Sequence, residues 1–187
     1  FEWKWDGIRA QIIKRNELPI IWSRGEEVIT DQYPEIIADV LKLTNCVIDG
    51  EIVAWGRDIL PFSELQRRLG RKKVTQKILK EIPVKFLVFD CLEFEGIDFR
   101  HEPYLVRRKK LQDIIGFTFL DRLMLSPMVE ASDWNDVGEA RAKSRSKKVE
   151  GVMIKSKATP YLTGRKKGYW WKWKVDPLTI DAVMIYA

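Results

Sequence analysis

Cysteine is scarce in this sequence of 187 residues, and the two that occur, Cys46 and Cys91, lie in separate apolar stretches. Their placement favours two buried free thiols over a disulfide and fits a reducing compartment. The sequence has no stretch of about 18 apolar residues, so no membrane-spanning helix is expected. It also has no recognisable signal peptide, internal repeat or low-complexity linker. The length of 187 residues suits one domain or a large single core.

Charge is abundant and of mixed sign, with an excess of basic residues. Charged residues make up 32% of the chain and apolar residues 45%, enough for a sizeable core and too interspersed for disorder. Lysine and arginine total 33 against 27 aspartates and glutamates, a formal charge of +6. Basic residues cluster at 67–73, 107–110, 141–148 and 165–167. The excess favours a polyanionic partner, although many ordinary proteins are equally basic.

Alternating and apolar runs predict a mixed α+β chain with several hairpins. Predicted strands cover 3–14, 18–23, 46–55, 84–94, 122–129, 149–156, 169–175 and 178–187. Predicted helices cover 33–43, 61–70, 102–115 and 132–144. Pro34 stands at a first-turn position, Ser63 and Ser132 are candidate N-caps, and Gly70 is a candidate stop signal. This order differs from a regular βαβ alternation.

The first motif with chemical meaning is KWDG at 4–7. Lys4 and Asp6 project to the same side of an alternating strand, and Gly7 permits a bulge or the close approach of another backbone. A lysine beside a cleft with other cations nearby has its charged form disfavoured, so its amine can act as a nucleophile. The alternative is a surface strand on which Lys4 and Asp6 only pair with each other.

Carboxylates stand on two further predicted strands. Asp49 and Glu51 share one face of VIDGEIVAW, where they repel each other unless a metal ion or a ribose separates them. The alternative for this pair is a solvated strand face. In the segment VEGVMIKSK, Glu150 is expected to face the same way as Val152, and Lys155 the opposite way. Glu150 is then either a functional acid or metal ligand, or an ordinary acid on an edge strand.

The predicted strand GYWWKWKVDP carries Lys172 and Lys174 on one face. Two such charges repel each other unless they share an anion such as a triphosphate. The alternative is a basic solvent face laid over Trp171 and Trp173, which are expected in the core. Phe89, in the middle of the apolar run FLVFDCLEF, has the features of an ordinary core residue when considered alone.

The order of these motifs is more specific than any one of them. Residues 1–187 contain, in this order, EWKWDGIR, SRGEE, DGEIV, FLVFD, EGVMIK and WWKWK. In this respect the chain resembles the nucleotidyltransferase core of ATP-dependent DNA ligases, within the superfamily that includes RNA ligases and mRNA capping enzymes. The tail KWKVDPLTIDAVMIYA further resembles a bacterial subgroup. The resemblance implies an α+β fold in which antiparallel sheets, flanked by helices, enclose a nucleotide cleft.

The resemblance also implies roles for individual side chains. Lys4 is expected to form a phosphoramidate with AMP, and Glu150 to help hold a divalent metal ion, Mg²⁺ or Mn²⁺. Glu2 is expected beside the adenine, Phe89 stacked on it, and Glu51 on the ribose hydroxyls. The remaining residues are expected to hold sugar, phosphate or pyrophosphate: Arg9, Arg24, Lys166, Lys172 and Lys174.

The implied reaction begins when Lys4 attacks the α-phosphorus of ATP in line and pyrophosphate leaves. AMP then passes to the 5′-phosphate at a nick in double-stranded DNA, and the 3′-hydroxyl displaces it to seal the strand. The basic clusters are expected to contact backbone phosphates without reading sequence. The alternatives are an RNA ligase, a GTP-dependent capping-type enzyme, or a nucleic-acid-binding domain in which Lys4 is inert.

The same resemblance implies domain boundaries. Residues 1–176 are expected to form the adenylation domain, truncated at its N-terminus, because the chain lacks an initiator Met and only three residues precede Lys4. Residues 177–187 are expected to be a linker and the start of a C-terminal OB-fold domain that is otherwise missing. A fragment of this kind should bind ATP or AMP but seal nicks poorly. The expected location is the bacterial cytoplasm, in association with the nucleoid and not with a membrane.

Overall fold

Two β-sheets and their flanking helices make up the computed structural model, which describes residues 1–71, 74–116, 119–164 and 166–177 and positions 179, 183 and 186. The larger sheet contains β2 (Ile8–Arg15), β3 (Leu18–Ser23), β4 (Cys46–Ala54), β5 (Val84–Phe94), β6 (Ile97–Asp98) and β7 (Leu123–Leu125). The smaller sheet contains β1 (Glu2–Trp5), β8 (Val149–Lys155) and β9 (Trp170–Lys174). The helices are α1 (Pro34–Val40), α2 (Phe62–Gln66), α3 (Gln76–Glu81), α4 (Tyr104–Gly116), α5 (Trp134–Ala142) and a 3-10 helix, Thr30–Gln32.

Antiparallel pairing dominates both sheets. The larger sheet has the order β3-β2-β4-β5-β6, and β7 runs parallel to β5. The smaller sheet has the order β1-β8-β9, with both pairs antiparallel. The predicted α+β class with antiparallel sheets and flanking helices is therefore confirmed.

The chain passes from one sheet to the other at Asp6 and Gly7. The alternating stretch 3–14, expected to be one strand, is in fact β1 of the smaller sheet followed by β2 of the larger sheet. A Cβ atom on Gly7 would collide with the carbonyl oxygen of Ile52 in β4, so this crossing requires glycine. As a result, Lys4 and Arg9 belong to different sheets and line the same cleft from opposite sides.

The main core lies on the helix-covered face of the larger sheet. Ile12, Ile48 and Phe86 from the strands are fully buried together with Ile36 of α1 and Leu111 of α4. On the opposite face, the tryptophans of β1 pack against Val53 and Leu87. Burial of apolar surface at about 25 cal/mol per Å² stabilises both contacts and holds the smaller sheet against one part of the larger one.

Some of the observed helix termini agree with those predicted from the sequence and others do not. The helix α1 begins at Pro34 as predicted, and α4 covers nearly the predicted range. The helix α2 follows Pro61 and makes no side-chain cap, so the prediction of Ser63 as its N-cap is wrong. The helix α5 is capped by the carboxylate of Asp133 and not by Ser132. A carboxylate one residue later satisfies two backbone N–H groups of the first turn, which explains this correction.

Some elements were missed or shortened. The helix α3, capped by Thr75, was not predicted, and the strand β7 is three residues long where 122–129 was expected. Cys46 and Cys91 are buried free thiols, as predicted. No helix among the described residues is long and apolar enough to cross a bilayer. The predicted strand 178–187 lies outside the described residues apart from three isolated positions.

Candidate active site

A cleft of about 800 Å³ lies between the two sheets. Of the residues that the sequence singles out, Glu2, Lys4, Arg9, Arg24, Glu51, Phe89, Lys166 and Lys172 line this cleft. Glu150 and Lys174 line an adjoining recess of about 410 Å³ that shares Lys4, Arg9, Arg24, Glu51 and Lys172 with it. The structure therefore brings together all the predicted site residues, drawn from positions that are up to 172 apart in the sequence.

Lys4 is anchored where the two spaces meet. Its Nζ donates a hydrogen bond to Oε2 of Glu150, and the Nζ of Lys174 lies 3.1 Å from the same oxygen. The side chain of Lys4 is 17% exposed, so the amine faces the cleft rather than bulk solvent. A single carboxylate oxygen thus holds two lysines of the smaller sheet in one cluster.

A β-bulge turns Glu150 toward Lys4. The β1–β8 register pairs Lys4 with Gly151 and Trp5 with Val149, which leaves Glu150 as the extra residue. Gly151 has a φ of +147°, and a Cβ atom there would collide with the carbonyl oxygen of Trp173. The prediction that Glu150 faces the same way as Val152 is therefore wrong, because Val152 is fully buried in a separate apolar cluster.

The carboxylates of this region are electrostatically coupled. Burial would raise the pKa of Glu150, but hydrogen bonds from Lys4 and Lys174 outweigh it and hold the pKa below its usual range. Burial raises the pKa of Asp6, and the negative charge of Glu150 raises it further. Among the described residues no cluster of three or more acidic, histidine or cysteine side chains could hold a metal ion alone. One or two carboxylates completed by phosphate oxygens is, however, the usual environment of Mg²⁺, and Glu150 with Asp6 fits it.

Arg9 is held on the opposite wall. Its Nη2 lies 2.6 Å from Oδ2 of Asp49, which is fully buried. The hydroxyl of Tyr161 donates to the same carboxylate oxygen at 2.7 Å and accepts from Arg9 at 3.1 Å. No distinguishing signal in the sequence marks Tyr161, which lies in the connection from β8 to β9. Asp49 thus orients Arg9, and Tyr161 joins that connection to the larger sheet.

Glu51 stands beside Arg9 on the same wall. Burial raises the pKa of Glu51 to about 8, although the nearby charges of Lys4 and Arg9 act in the opposite direction. A carboxyl group that is largely protonated near neutral pH can donate as well as accept hydrogen bonds. Such a carboxyl group can form hydrogen bonds with the hydroxyl groups of a ligand, which both donate and accept.

Aromatic rings and a buried ion pair form the inner end of the cleft. Phe89 is the bulged residue of β5, because the β4–β5 register passes from Asp90 to Val88. The Nζ of Lys155 lies 4.6 Å from the centre of the Phe89 ring, 4.4 Å from that of Trp170 and 2.8 Å from Oε2 of Glu2. Lys155 therefore faces the cleft, on the side of β8 opposite Val152, as the predicted alternation requires, although the sequence assigned it no role. Its alternation with Met153 along β8 was the signal that could have revealed it.

Basic side chains surround the adjoining recess. Burial lowers the pKa of Lys172, and the positive charges of Lys4, Arg24 and Lys174 lower it further. Such mutual repulsion among cations favours the binding of an anion between them. Trp171, expected in the core, is 48% exposed, whereas Trp173 packs, as expected, against a buried apolar cluster that includes Val137 of α5.

The basic clusters are less available to a partner than their sequence indicates. Arg68 is fully buried and bonded to Glu35 at 2.5 Å, and Arg107 and Arg108 are also buried. Arginines buried in this way have carboxylate or carbonyl partners that sequence spacing does not reveal. Only the exposed members of the clusters can contact a polyanion, and residues 72, 73 and 165 lie outside the described residues.

Comparison with known proteins decides the family. A family model described as "ATP dependent DNA ligase domain" matches residues 1–174. The chain belongs to the ATP-dependent DNA ligase domain family. DNA ligase 2 of Haloquadratum walsbyi is 34% identical over the whole chain, and a probable DNA ligase of Sorangium cellulosum is also 34% identical. The chain spans 30% and 34% of these two relatives, about a third of their length.

Solved structures of DNA ligases share this fold. The ligase domain of M. tuberculosis LigD is 28% identical, with a TM-score of 0.70 over 90% of this chain and 52% of that chain. A structure described as mycobacterial DNA ligase D complexed with ATP and MES is 26% identical, with a TM-score of 0.69 over the same fractions. The resemblance inferred from the six ordered motifs is thereby confirmed at the level of the family. The bacterial subgroup stays a prediction.

Proposed function

We propose that this chain is the catalytic core of an ATP-dependent DNA ligase, in which Lys4 becomes covalently linked to AMP. The observation that carries the proposal is the position of Lys4 in the cleft, bonded to Glu150 and surrounded by Glu51, Arg9 and Lys172. The family membership and the similarity to an ATP-complexed ligase D support ATP as the nucleotide.

The cleft offers a distinct environment for each part of ATP. The base is assigned to the inner end, where Phe89 supplies a stacking surface and the Glu2–Lys155 pair supplies an acceptor beside a donor. The 6-amino group and N1 of adenine present a donor beside an acceptor, which matches this pair. The ribose is assigned to Glu51 and Arg9.

The phosphates are assigned to the basic end of the cleft. The amine of Lys4, in its neutral form, attacks the α-phosphorus; the new P–N bond forms as the P–O bond to pyrophosphate breaks. Lys172 and Lys174 offset the charge that develops on the phosphoryl oxygens and the leaving group, and Arg24 and Lys166 add positive charge to the lining of the same cleft. A divalent cation held by Glu150, with Asp6 nearby, would supply further charge stabilisation there.

The later steps use nicked double-stranded DNA. We assign the exposed basic side chains around the cleft to contacts with backbone phosphates, since these contacts need charge but no sequence reading. The acceptor of AMP is then the 5′-phosphate at the nick, and the 3′-hydroxyl closes the strand. A cytoplasmic location accords with this role and stays a prediction.

Covalent labelling tests the proposal. The purified chain is incubated with α-³²P-labelled ATP or GTP and Mg²⁺, denatured, and examined for label that survives denaturation. We expect label from ATP that disappears in Lys4→Ala and persists in Lys77→Ala, which replaces an 80%-exposed lysine of α3 that does not line the cleft. Label that survives in Lys4→Ala would show that another residue is the nucleophile. Preference for GTP would favour a capping-type enzyme, and transfer of AMP to nicked RNA but not nicked DNA would favour an RNA ligase.

A further inference from the structure

The carboxylate of Glu2 is held at the inner end of the cleft by a tyrosine at the start of α4. Tyr104, the first residue of α4, donates its hydroxyl hydrogen to Oε1 of Glu2. Both residues are 2% exposed. Tyr104 does not line the cleft, whereas Glu2 does, so the tyrosine meets a bound nucleotide only through Glu2.

The remaining contacts of Glu2 leave Tyr104 with a specific task. Lys155 binds Oε2 at 2.8 Å, and the Nη1 of Arg108 is 4.0 Å from Oε1, beyond hydrogen-bond distance. The hydroxyl of Tyr104 is therefore the short donor on Oε1 among the described residues. Burial raises the pKa of Tyr104, and the charge of Glu2 raises it further, so the phenol remains the donor and the carboxylate the acceptor.

The ring of Tyr104 is fixed by its neighbours. It meets the ring of Trp170 edge-on with centres 6.3 Å apart, and Nζ of Lys155 lies 5.1 Å from its centre. The same tyrosine thus contacts Glu2, Lys155 and Trp170, three residues that line the base end of the cleft. A carboxylate held by two opposed donors has a defined plane, and its free lone pairs have a defined direction.

We propose that Tyr104 is a positioning residue for base recognition: by holding Glu2 it directs that carboxylate toward the exocyclic amino group of the purine. The inference rests on the proposed function, because it assumes that ATP occupies the cleft. Tyr104 should affect base selectivity and not the chemical step, because it contacts neither Lys4 nor the phosphate end of the cleft. Loss of its hydroxyl should therefore weaken the binding of nucleotides that carry a 6-amino group and leave the others unchanged.

Two nucleotides separate this role from a merely structural one. The ATP concentration for half-maximal covalent labelling is compared with that of purine riboside 5′-triphosphate, which lacks the 6-amino group. In Tyr104→Phe we expect the value for ATP to rise about fivefold and the value for purine riboside triphosphate to change less than about twofold. The maximal labelling rate should stay near that of the unmodified chain for both nucleotides.

Matched variants complete the experiment. Tyr186→Phe removes a hydroxyl from a side chain that is 94% exposed and should change neither value. In a Glu2→Gln background, Tyr104→Phe should cause no further change in the ratio of the two values, because the two residues act as one unit. All labelling is done about 10 °C below the lowest thermal midpoint among the variants, so that each is folded.

The outcomes are distinguishable. An equal rise for both nucleotides would assign Tyr104 a structural role and overturn the inference, as would no change for either. Absence of lysine-linked label from ATP in the unmodified chain would overturn the proposed function, and the inference with it. The positioning role would be established if Tyr104→Phe raised the half-maximal concentration for ATP alone and this effect were absent in the Glu2→Gln background.

Discussion

Arg107 and Asp90 form a fully buried, two-pronged ion pair next to the base end of the cleft. The distance from Nε to Oδ1 is 2.7 Å and that from Nη2 to Oδ2 is 2.9 Å, and neither side chain is exposed. The Nη1 of Arg107 also donates to the carbonyl oxygens of Glu102 and Thr159. This one guanidinium therefore joins β5 and α4 to the segment that leads to Tyr161.

Removal of Arg107 should strongly destabilise the fold. In Arg107→Met the carboxylate of Asp90 stays buried without its cation, and loss of one partner of such a pair costs about 3–5 kcal/mol. Urea unfolding followed by tryptophan fluorescence measures the change. The control is Arg100→Ala, which removes an exposed pair with Asp98 and should leave the unfolding midpoint unchanged. Similar losses in both variants would contradict the importance of burial.

The bulge at Gly151 should be intolerant of any side chain. In Gly151→Ala the new methyl group meets the carbonyl of Trp173 at a φ of +147°, so β8 and β9 must separate and Glu150 must move away from Lys4. We expect a loss of stability above about 2 kcal/mol and the loss of covalent AMP labelling. Gly96→Ala is the matched control, because its φ is +82° with open space around it, and should cost about 1 kcal/mol without affecting labelling.

The cap of α5 distinguishes two adjacent residues. Asp133→Ala removes the acceptor of the Asn135 and Asp136 N–H groups and should cost about 1 kcal/mol. Ser132→Ala should be nearly neutral, because its side chain caps no N–H group of this helix. Thermal unfolding of the two variants side by side measures the difference. A larger effect at Ser132 would restore the assignment expected from sequence.

Glu51 should make stability depend on pH. Its folded-state pKa of about 8 lies above the value of an unfolded glutamate, so from about pH 4.5 the unfolded chain releases a proton that the folded chain retains. The contribution of the protonated Glu51 to the free energy of unfolding is fully present below about pH 4.5, declines as the pH rises, and is lost above about pH 8. Glu51→Gln removes the titration, so the free energy of unfolding of the unmodified chain should fall relative to this variant between pH 5 and 8. Parallel curves would refute the raised pKa.

Local sequence pattern accounts for the strands better than for the site. The boundaries of β3 and β5 were predictable because apolar side chains alternate or run continuously between clear turn signals. The change of sheet at Gly7 was not, since it depends on a carbonyl of Ile52 that is 45 positions away. The same holds for the bulges that present Glu150 and Phe89, which arise from pairing between distant strands.

In the candidate site, too, residues within local motifs were predictable and residues that act through distant contacts were not. Ordered motifs identified the charged residues that meet in the cleft, because each motif carries its residue type in a fixed local setting. They did not reveal Tyr104, Lys155 or Tyr161, whose contacts with Glu2 and Asp49 join residues more than 100 positions apart. Buried arginines are equally invisible, since a guanidinium in the core is indistinguishable in sequence from one on the surface.

The two walls of the cleft belong to separate sheets, with Glu51, Arg9 and Phe89 on one side and Lys4, Lys155 and Lys172 on the other. A ligand that contacts both walls connects the two sheets. Because it binds only the folded chain, its binding also raises the free energy of unfolding. At a free concentration a hundred times its dissociation constant, such a ligand would protect the folded chain by about 2.7 kcal/mol. Ligand binding in the cleft between the sheets and resistance of the chain to unfolding are therefore coupled.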